Sequence, residues 1–302
     1  MNDYSAIRGQ APKPMTMNRL GDTDELVLAQ TTMLCMRQGC CRPSINWVLQ
    51  SADNYEPGSS PFELPNVGGW IHEESTFCQR CCCGGVPGCR ETKFVQHAGY
   101  PPSELQQEDW SCCVIQTEPT SAELSHGDLQ ANIIATHEKE MSCSTGCACC
   151  ACCGLAPYLL TKDETGLVLG ETTFVCDECL CVPKFHVSDA LGSVRYLLRP
   201  DTCCCGLCVM PRCGGPKGKC CRVPFLIRSP STGDAVYSNA QEGKAQVTSL
   251  WSGLFNEACF KRRAYHIAFP ANATPEERVV LMGSALLVDV AIYEQDDDNN
   301  DS

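Results

Sequence analysis

The hydrophobic pattern of the chain is most continuous near its C-terminus, in TPEERVVLMGSALLVDVAIYE, residues 274–294. Thr274 is suited to cap a helix, Pro275 to its first position, and Glu277 stands three residues after the cap. From Val279 to Tyr293 the only polar residues are Ser284 and Asp289. A helix that is apolar all round must be buried, either in protein or in lipid. Upstream the pattern changes to short runs with strand character, broken by Gly, Pro, Asn and Asp. They are INWVLQ (45–50), GGWIHEE (68–74), TKFVQH (92–97), ANIIATHEKE (131–140), PYLLTKD (157–163) and LVLGETTFV (167–175). PKFHVSDALG (183–192), SVRYLLRP (193–200), VPFLIRS (223–229), DAVYSN (234–239), AQVTSLW (245–251) and AYHIAF (264–269) follow. Strands at this spacing predict a sandwich or a barrel. Near the N-terminus, Leu26, Ala29, Met33 and Met36 fall near one helical face, which predicts a short helix over Glu25–Gln38 that stops at Gly39. Residues before it are polar, with Pro12 and Pro14, and read as a disordered arm over 1–24. Tyr100 to about Asp128 reads as an inserted loop.

Composition narrows the function. The net charge is −13, and Asp296, Asp297, Asp298 and Asp301 form an acidic tail over 296–302. Broad electrostatic binding to nucleic acid is therefore not expected. The opening MNDYSAIRGQAPKP has no apolar h-region, so a secretory leader and a secreted protein are not expected. Position 2 is Asn, so myristoylation is not indicated. The chain has 27 cysteines, an odd number, many in adjacent pairs or triplets. That usage fits a reducing, cytosolic setting in which thiols serve zinc or acyl chains. The pairs Cys78/Cys81, Cys176/Cys179 and Cys205/Cys208 have C-x-x-C spacing, and two of them brought together would make a four-thiolate zinc site. No two are as close in sequence as in a zinc ribbon, so their partnership stays open. The run CCACC holds Cys149, Cys150, Cys152 and Cys153, candidates for palmitoylation through thioesters. Two or more acyl chains anchor stably where one binds only marginally. Buried, reduced thiols are the plain alternative.

No G-x-S-x-G, P-loop, H-E-x-x-H or dinucleotide fingerprint is present, so no hydrolytic or redox active site is expected. Cys–His pairs drawn with His72, His97 or His137 carry little weight among so many cysteines. His186 and His266 lie in strand-like runs and read as structural. Lys261, Arg262 and Arg263 form a basic spot, either a solvated turn or a contact for anionic headgroups.

The segment WSGLFNEACFKRRAYHIAFP (251–270), followed by LLVDVAIYE (286–294), resembles the C-terminal signature of the phospholipid scramblases. The counterparts are Trp251, Gly253, Glu257, Ala258, Tyr265, Ile267, Phe269, Pro270, Gly283, Asp289 and Glu294. The CCACC run, CLCVPKFHV (179–187) and HEESTFCQRCCCG (72–84) are similar to further family features. The resemblance covers roughly 25–294 and is weakest over 95–135 and 201–245. It implies one tubby-like domain over 25–295, mainly β: a closed antiparallel barrel of about twelve strands around the apolar C-terminal helix. It implies ATP-independent, bidirectional movement of phospholipids between leaflets, without bond chemistry, by a palmitoylated protein at the cytoplasmic face of the plasma membrane. The family's calcium segment carries acidic residues where this chain has Lys261, Arg263 and Asn272. A hard cation needs anionic oxygen ligands, so calcium is not expected at this segment.

A spanning helix needs about 20 apolar residues, whereas Val279–Tyr293 would reach only roughly 22 Å. Asp289 would be costly in lipid. Burial inside the barrel is the favoured expectation, with Val279, Val280, Leu281, Leu286, Leu287, Val288 and Asp289 facing the core and Asp289 bonded to a polar partner. A membrane span is the runner-up. The functional alternatives are a peripheral lipid- or protein-binding module that moves no lipid, and a zinc-stabilised cysteine-rich scaffold.

Overall fold

The computed structural model describes residues 14–30, 45–53, 55, 61, 64–75, 91–101, 132–140, 156–175, 182–203, 208–209, 222–250 and 263–293. Twelve antiparallel strands close into a barrel. In chain order they begin with β1 (Glu25–Gln30), β2 (Asn46–Ser51), β3 (Asn66–Glu74), β4 (Thr92–Ala98), β5 (Ile133–Lys139) and β6 (Tyr158–Asp163). Then come β7 (Val168–Val175), β8 (Lys184–Asp189) and β9 (Val194–Pro200). A two-stranded ribbon, β10 (Thr202–Cys203) and β11 (Cys208–Val209), stands apart from the barrel. The barrel resumes with β12 (Val223–Arg228), β13 (Gln246–Leu250) and β14 (Ala264–Ala268), and β14 pairs with β1 to close it. Closure leaves no unpaired edge strand in the barrel.

The pleat explains why these runs became strands. Along β14, Tyr265 and Ile267 point inward into the main core, as does Phe269 just after it. Ala264, His266 and Ala268 alternate with them. Trp47 and Leu49 of β2, Phe94 of β4, Phe185 and Val187 of β8, and Phe225 and Ile227 of β12 join the same core. Helix α1 (Met17–Gly21) and helix α2 (Pro275–Val288) complete the fold, and α2 runs on into a π-helical turn, Asp289–Tyr293.

Helix α2 fills the barrel. Its start is the capping box read from the sequence: Thr274 Oγ1 accepts from Glu277 N at 3.3 Å, and Glu277 Oε2 accepts from Thr274 N at 3.1 Å. Every residue from Arg278 to Val288 is buried. No helix among the described residues is long and apolar enough to cross a membrane. The protein interior, rather than lipid, surrounds this helix, and the runner-up expectation of a span is set aside. Gly283 sets how closely α2 approaches the wall. A Cβ there would lie 2.7 Å from His137 Nδ1, 2.9 Å from Leu159 Cδ2 and 3.0 Å from Thr161 Oγ1.

Two expectations need correction at the N-terminus. Glu25–Gln30 is strand β1, not the start of a helix. The run LVLA is buried throughout, because Leu26 and Leu28 face the main core while Val27 and Ala29 join a second cluster with Ala52, Tyr55, Leu250 and Ala264. A strand covered on both faces shows no alternation, and its apolar run is then open to a helical reading. Residues 31–38 of that expected helix lie outside the described residues. The helix that does exist is α1, capped by Thr16, within the stretch read as a disordered arm. Met15 and Leu20 are buried there, and Met15 N donates to Gly68 O at 2.6 Å. The arm therefore does not extend to residue 24. DAVYSN, expected as a strand, makes only the isolated bridges Arg228↔Ala235 and Tyr237↔Lys244.

Gly283→Val puts branched carbon into the space held by His137, Leu159 and Thr161. Overpacking of this kind costs about 1–3 kcal/mol, so thermal unfolding of the variant should shift down by several degrees without loss of secondary structure by circular dichroism.

Candidate functional site

The chain crosses from one rim of the barrel to the other with each strand, so its connections sort into two sets. Those joining β2–β3, β4–β5, β6–β7, β8–β9 and β12–β13 leave the rim where α2 begins, here the turn rim. Those joining β1–β2, β3–β4, β5–β6, β7–β8, β9–β12 and β13–β14 leave the rim where α2 ends. In chain order, all of the 27 cysteines except Cys112 and Cys113 fall in the second set, which makes this the cysteine rim.

At the cysteine rim, α2 ends in a buried charge. Asp289 is 1% exposed. Tyr265 Oη donates to Asp289 Oδ1 at 2.8 Å, and Arg263 Nε lies 3.6 Å from the same oxygen. A carboxylate out of water needs a counter-charge and donors, and both partners come from β14 or the residue that leads into it. Arg263 is itself fixed by backbone: its N–H donates to Gln30 Oε1 at 3.2 Å, and its carbonyl accepts from Gln30 N at 2.9 Å. The cluster therefore ties together the end of α2, the start of β14 and the end of β1. The backbone widens to a π-turn at Asp289, a distortion often found at functional sites.

A polar column crosses the middle of the barrel. His137 Nδ1 lies 3.1 Å from Thr161 Oγ1, and its Nε2 lies 3.4 Å from Gln96 Oε1. Burial pushes the His137 pKa down to about 3, so the ring is neutral. Beside it, Thr172 Oγ1 and Ser284 Oγ are 2.8 Å apart, and Ser284 Oγ also donates to Val280 O at 3.1 Å. These groups meet where Gly283 brings the helix against the wall.

At the turn rim, Arg278 anchors α1 to α2. Its side chain donates to Ala273 O and Leu20 O at 3.2 Å each, and to Thr23 O, and its guanidinium lies 5.4 Å from the centre of the Phe269 ring. Glu277 accepts from Arg195 Nε and Tyr196 Oη, both at 2.9 Å.

The residues singled out from the sequence are distributed unevenly over this frame. Val279, Val280, Leu281, Leu286, Leu287, Val288 and Asp289 all lie inside the barrel. Arg263 turns its charge inward to Asp289, with 12% of its side chain exposed. Lys261 and Arg262 lie outside the described residues. So do Cys149, Cys150, Cys152 and Cys153, which fall in chain order between β5 and β6. Of the C-x-x-C residues, Cys78, Cys81, Cys176, Cys179 and Cys205 are likewise outside, while Cys208 stands opposite Cys203 in the backbone pairing of the β10–β11 ribbon. Among the described residues, no group of His, Cys, Asp and Glu is arranged to hold a metal. Arg263 immediately precedes β14 and Asn272 follows it, so a whole strand separates two of the positions matched to the calcium segment. Five residues at about 3.3 Å each make that strand roughly 17 Å long, so the two positions flank its opposite ends.

The span that includes this site also carries a family signal. A family model described as Scramblase matches residues 226–295, from β12 through β13, β14 and α2 to just past the π-turn. Over this span the chain is similar to the scramblase family. No curated protein and no solved structure matches it. The matched span holds Arg263, Tyr265 and Asp289 together with the whole barrel-filling helix, so the scramblase signature coincides with the part of the chain that closes and fills the barrel.

Sequence reasoning anticipated a polar partner for Asp289 without identifying it. Tyr265 was legible as an inward residue of an alternating strand, but the turn of Arg263 from rim to core was not. The His137–Gly283 approach carried no sequence signal beyond a glycine inside an apolar helix.

The His137 contribution to stability has a definite sign. The ring stays neutral in the folded protein down to about pH 3, whereas an unfolded histidine takes up a proton near pH 6.5. Below pH 6.5 the unfolded state binds the extra proton, so stability falls with pH at up to about 1.4 kcal/mol per unit from this group. Denaturant titrations from pH 7 to 4 should show that slope reduced in His137→Gln relative to wild type.

Proposed function

We propose that this protein acts on membranes by moving phospholipids between leaflets without ATP, as a barrel attached to the bilayer rather than a pore through it. The reading rests on one observation: the family match falls on the β12–α2 span, and the helix in that span is used to fill the barrel. A filled interior offers no lipid path, so any passage of headgroups would run over an outer surface of the protein or through bilayer that the protein perturbs. Attachment then falls to acyl chains on Cys149, Cys150, Cys152 and Cys153, at the cytoplasmic face of the plasma membrane. Calcium plays no part at Lys261, Arg263 and Asn272 in this proposal, because two of these are cations and the strand separates the positions that flank it. The other reading is a peripheral module that binds lipid or protein and moves nothing; the filled barrel favours it as well.

Reconstitution into vesicles with a fluorescent phospholipid and a bilayer-impermeant quencher decides between the two. Transport predicts quenching well beyond the outer-leaflet half, unchanged by a calcium chelator. A plateau equal to that of protein-free vesicles would leave only the binding module.

Hydroxylamine cleaves thioesters and should lower the membrane-bound fraction of the native protein severalfold, as should changing Cys149, Cys150, Cys152 and Cys153 together to Ala. A membrane fraction that stays the same after both treatments would place the main anchor elsewhere.

A further inference from the structure

The described residues include four large apolar side chains that are exposed: Tyr100 (44%), Leu167 (66%), Leu191 (91%) and Tyr237 (64%). None sits on the wall of the barrel. They occupy four successive connections of the turn rim, one each: Tyr100 after β4, Leu167 between β6 and β7, Leu191 between β8 and β9, and Tyr237 between β12 and β13. The remaining arc of that rim is closed by α1, through Met15 on β3 and Leu20 near the start of α2.

The two leucines are held on tight, rigid turns of the same design. Asp163 Oδ1 accepts from Thr165 N at 2.8 Å and Leu167 N at 2.9 Å. Asp189 Oδ1 accepts from Leu191 N at 3.0 Å and Ser193 N at 2.9 Å. Gly166 and Gly192 supply the positive φ, +87° and +77°, that each turn needs. A leucine exposed on a mobile loop could fold back, whereas these turns present it outward.

We propose that the turn rim, at the opposite end of the barrel from the cysteine rim, is the bilayer contact of the unacylated protein and takes zwitterionic phospholipid, with Leu167 and Leu191 entering the interfacial region and Tyr100 and Tyr237 lying at headgroup level. Two features favour a bilayer over a protein partner. First, the apolar residues stand one to a turn along the rim instead of being gathered into one patch, whereas a protein partner binds a contiguous surface. Tyr is moreover suited to the headgroup layer, with an apolar ring and a polar tip. Second, the arginines beside the tips are paired within the protein, Arg195 with Glu277 and Arg228 with Asp201, while Asp163, Glu164 and Asp189 leave the Leu167 and Leu191 turns acidic. Among the described residues this leaves no basic patch at the tips, so anionic lipid gains nothing here.

This inference rests on the membrane reading above, and its test separates the two. Full-length protein stripped of thioesters is mixed with phosphatidylcholine vesicles, and partitioning is measured by flotation for wild type and for the Leu167→Ser/Leu191→Ser double variant. Both positions are exposed, so folding should be unaffected, which circular dichroism checks. The double variant should bind at least tenfold more weakly. Leu191→Trp, in vesicles with brominated acyl chains, should show quenching beyond that of the four native tryptophans. Equal partitioning of the double variant, or no quenching of the introduced tryptophan in bound protein, overturns the turn rim as the contact while leaving the membrane reading intact. Binding that requires phosphatidylserine and ignores the leucines also overturns it. If neither stripped nor acylated protein binds any vesicle, the membrane reading fails along with it.

Discussion

A closed barrel and an all-apolar helix each solve the other's problem. Twelve strands that turn large side chains inward enclose a space that must be packed to the density of a protein interior. A helix with no polar face must find an enclosure that is apolar on every side. In this protein α2 meets the inward residues of the strands around its whole circumference, and nearly every other feature is an adjustment to that fit. Gly283 lets the helix approach the wall, Ser284 and Thr172 bond to each other where a hydroxyl would otherwise lack a partner, and Arg278 and Asp289 secure its two ends.

How much of this could be read from the chain depends on how local each determinant is. The helix start was legible because Thr274, Pro275 and Glu277 act on neighbouring backbone. Strand β14 was legible through the alternation of Tyr265, Ile267 and Phe269. β1 was misread because burial on both faces erases alternation, and the residues that cover its outer face, Ala52, Tyr55, Leu250 and Ala264, are distant from it in sequence. DAVYSN has strand composition but makes only single bridges, one to each side, with Val236 N donating to Ile227 O and Val236 O accepting from Ala245 N. The partners of Asp289 come from a strand about 25 residues upstream, and only the register of β14 against the helix identifies them.

The buried polar groups bear on how the segment similar to the scramblase family is held in this chain. Asp289 and Arg263 form a pair whose removal from water is expensive, and replacing such pairs with apolar residues often stabilises a protein. The pair nonetheless stands at the point where the helix leaves the barrel, fixing how far α2 is inserted. A purely apolar helix could slide by a turn in an apolar sleeve with little penalty; a charge that meets its partner at one depth cannot. The His137 column imposes a similar constraint from the middle of the barrel, where the glycine of α2 faces one ring.

The order of the elements along the chain has a consequence for biogenesis. The barrel closes by pairing β1 with β14, its first and last strands, and the helix that fills it follows all twelve. During synthesis the inward faces of eleven strands emerge before either closure or filling can occur. Contacts so distant in sequence form slowly, and the exposed lining of an unfilled barrel is open to aggregation meanwhile. Closure and filling must therefore wait until α2 has left the ribosome, and the apolar lining of the strands needs protection until then.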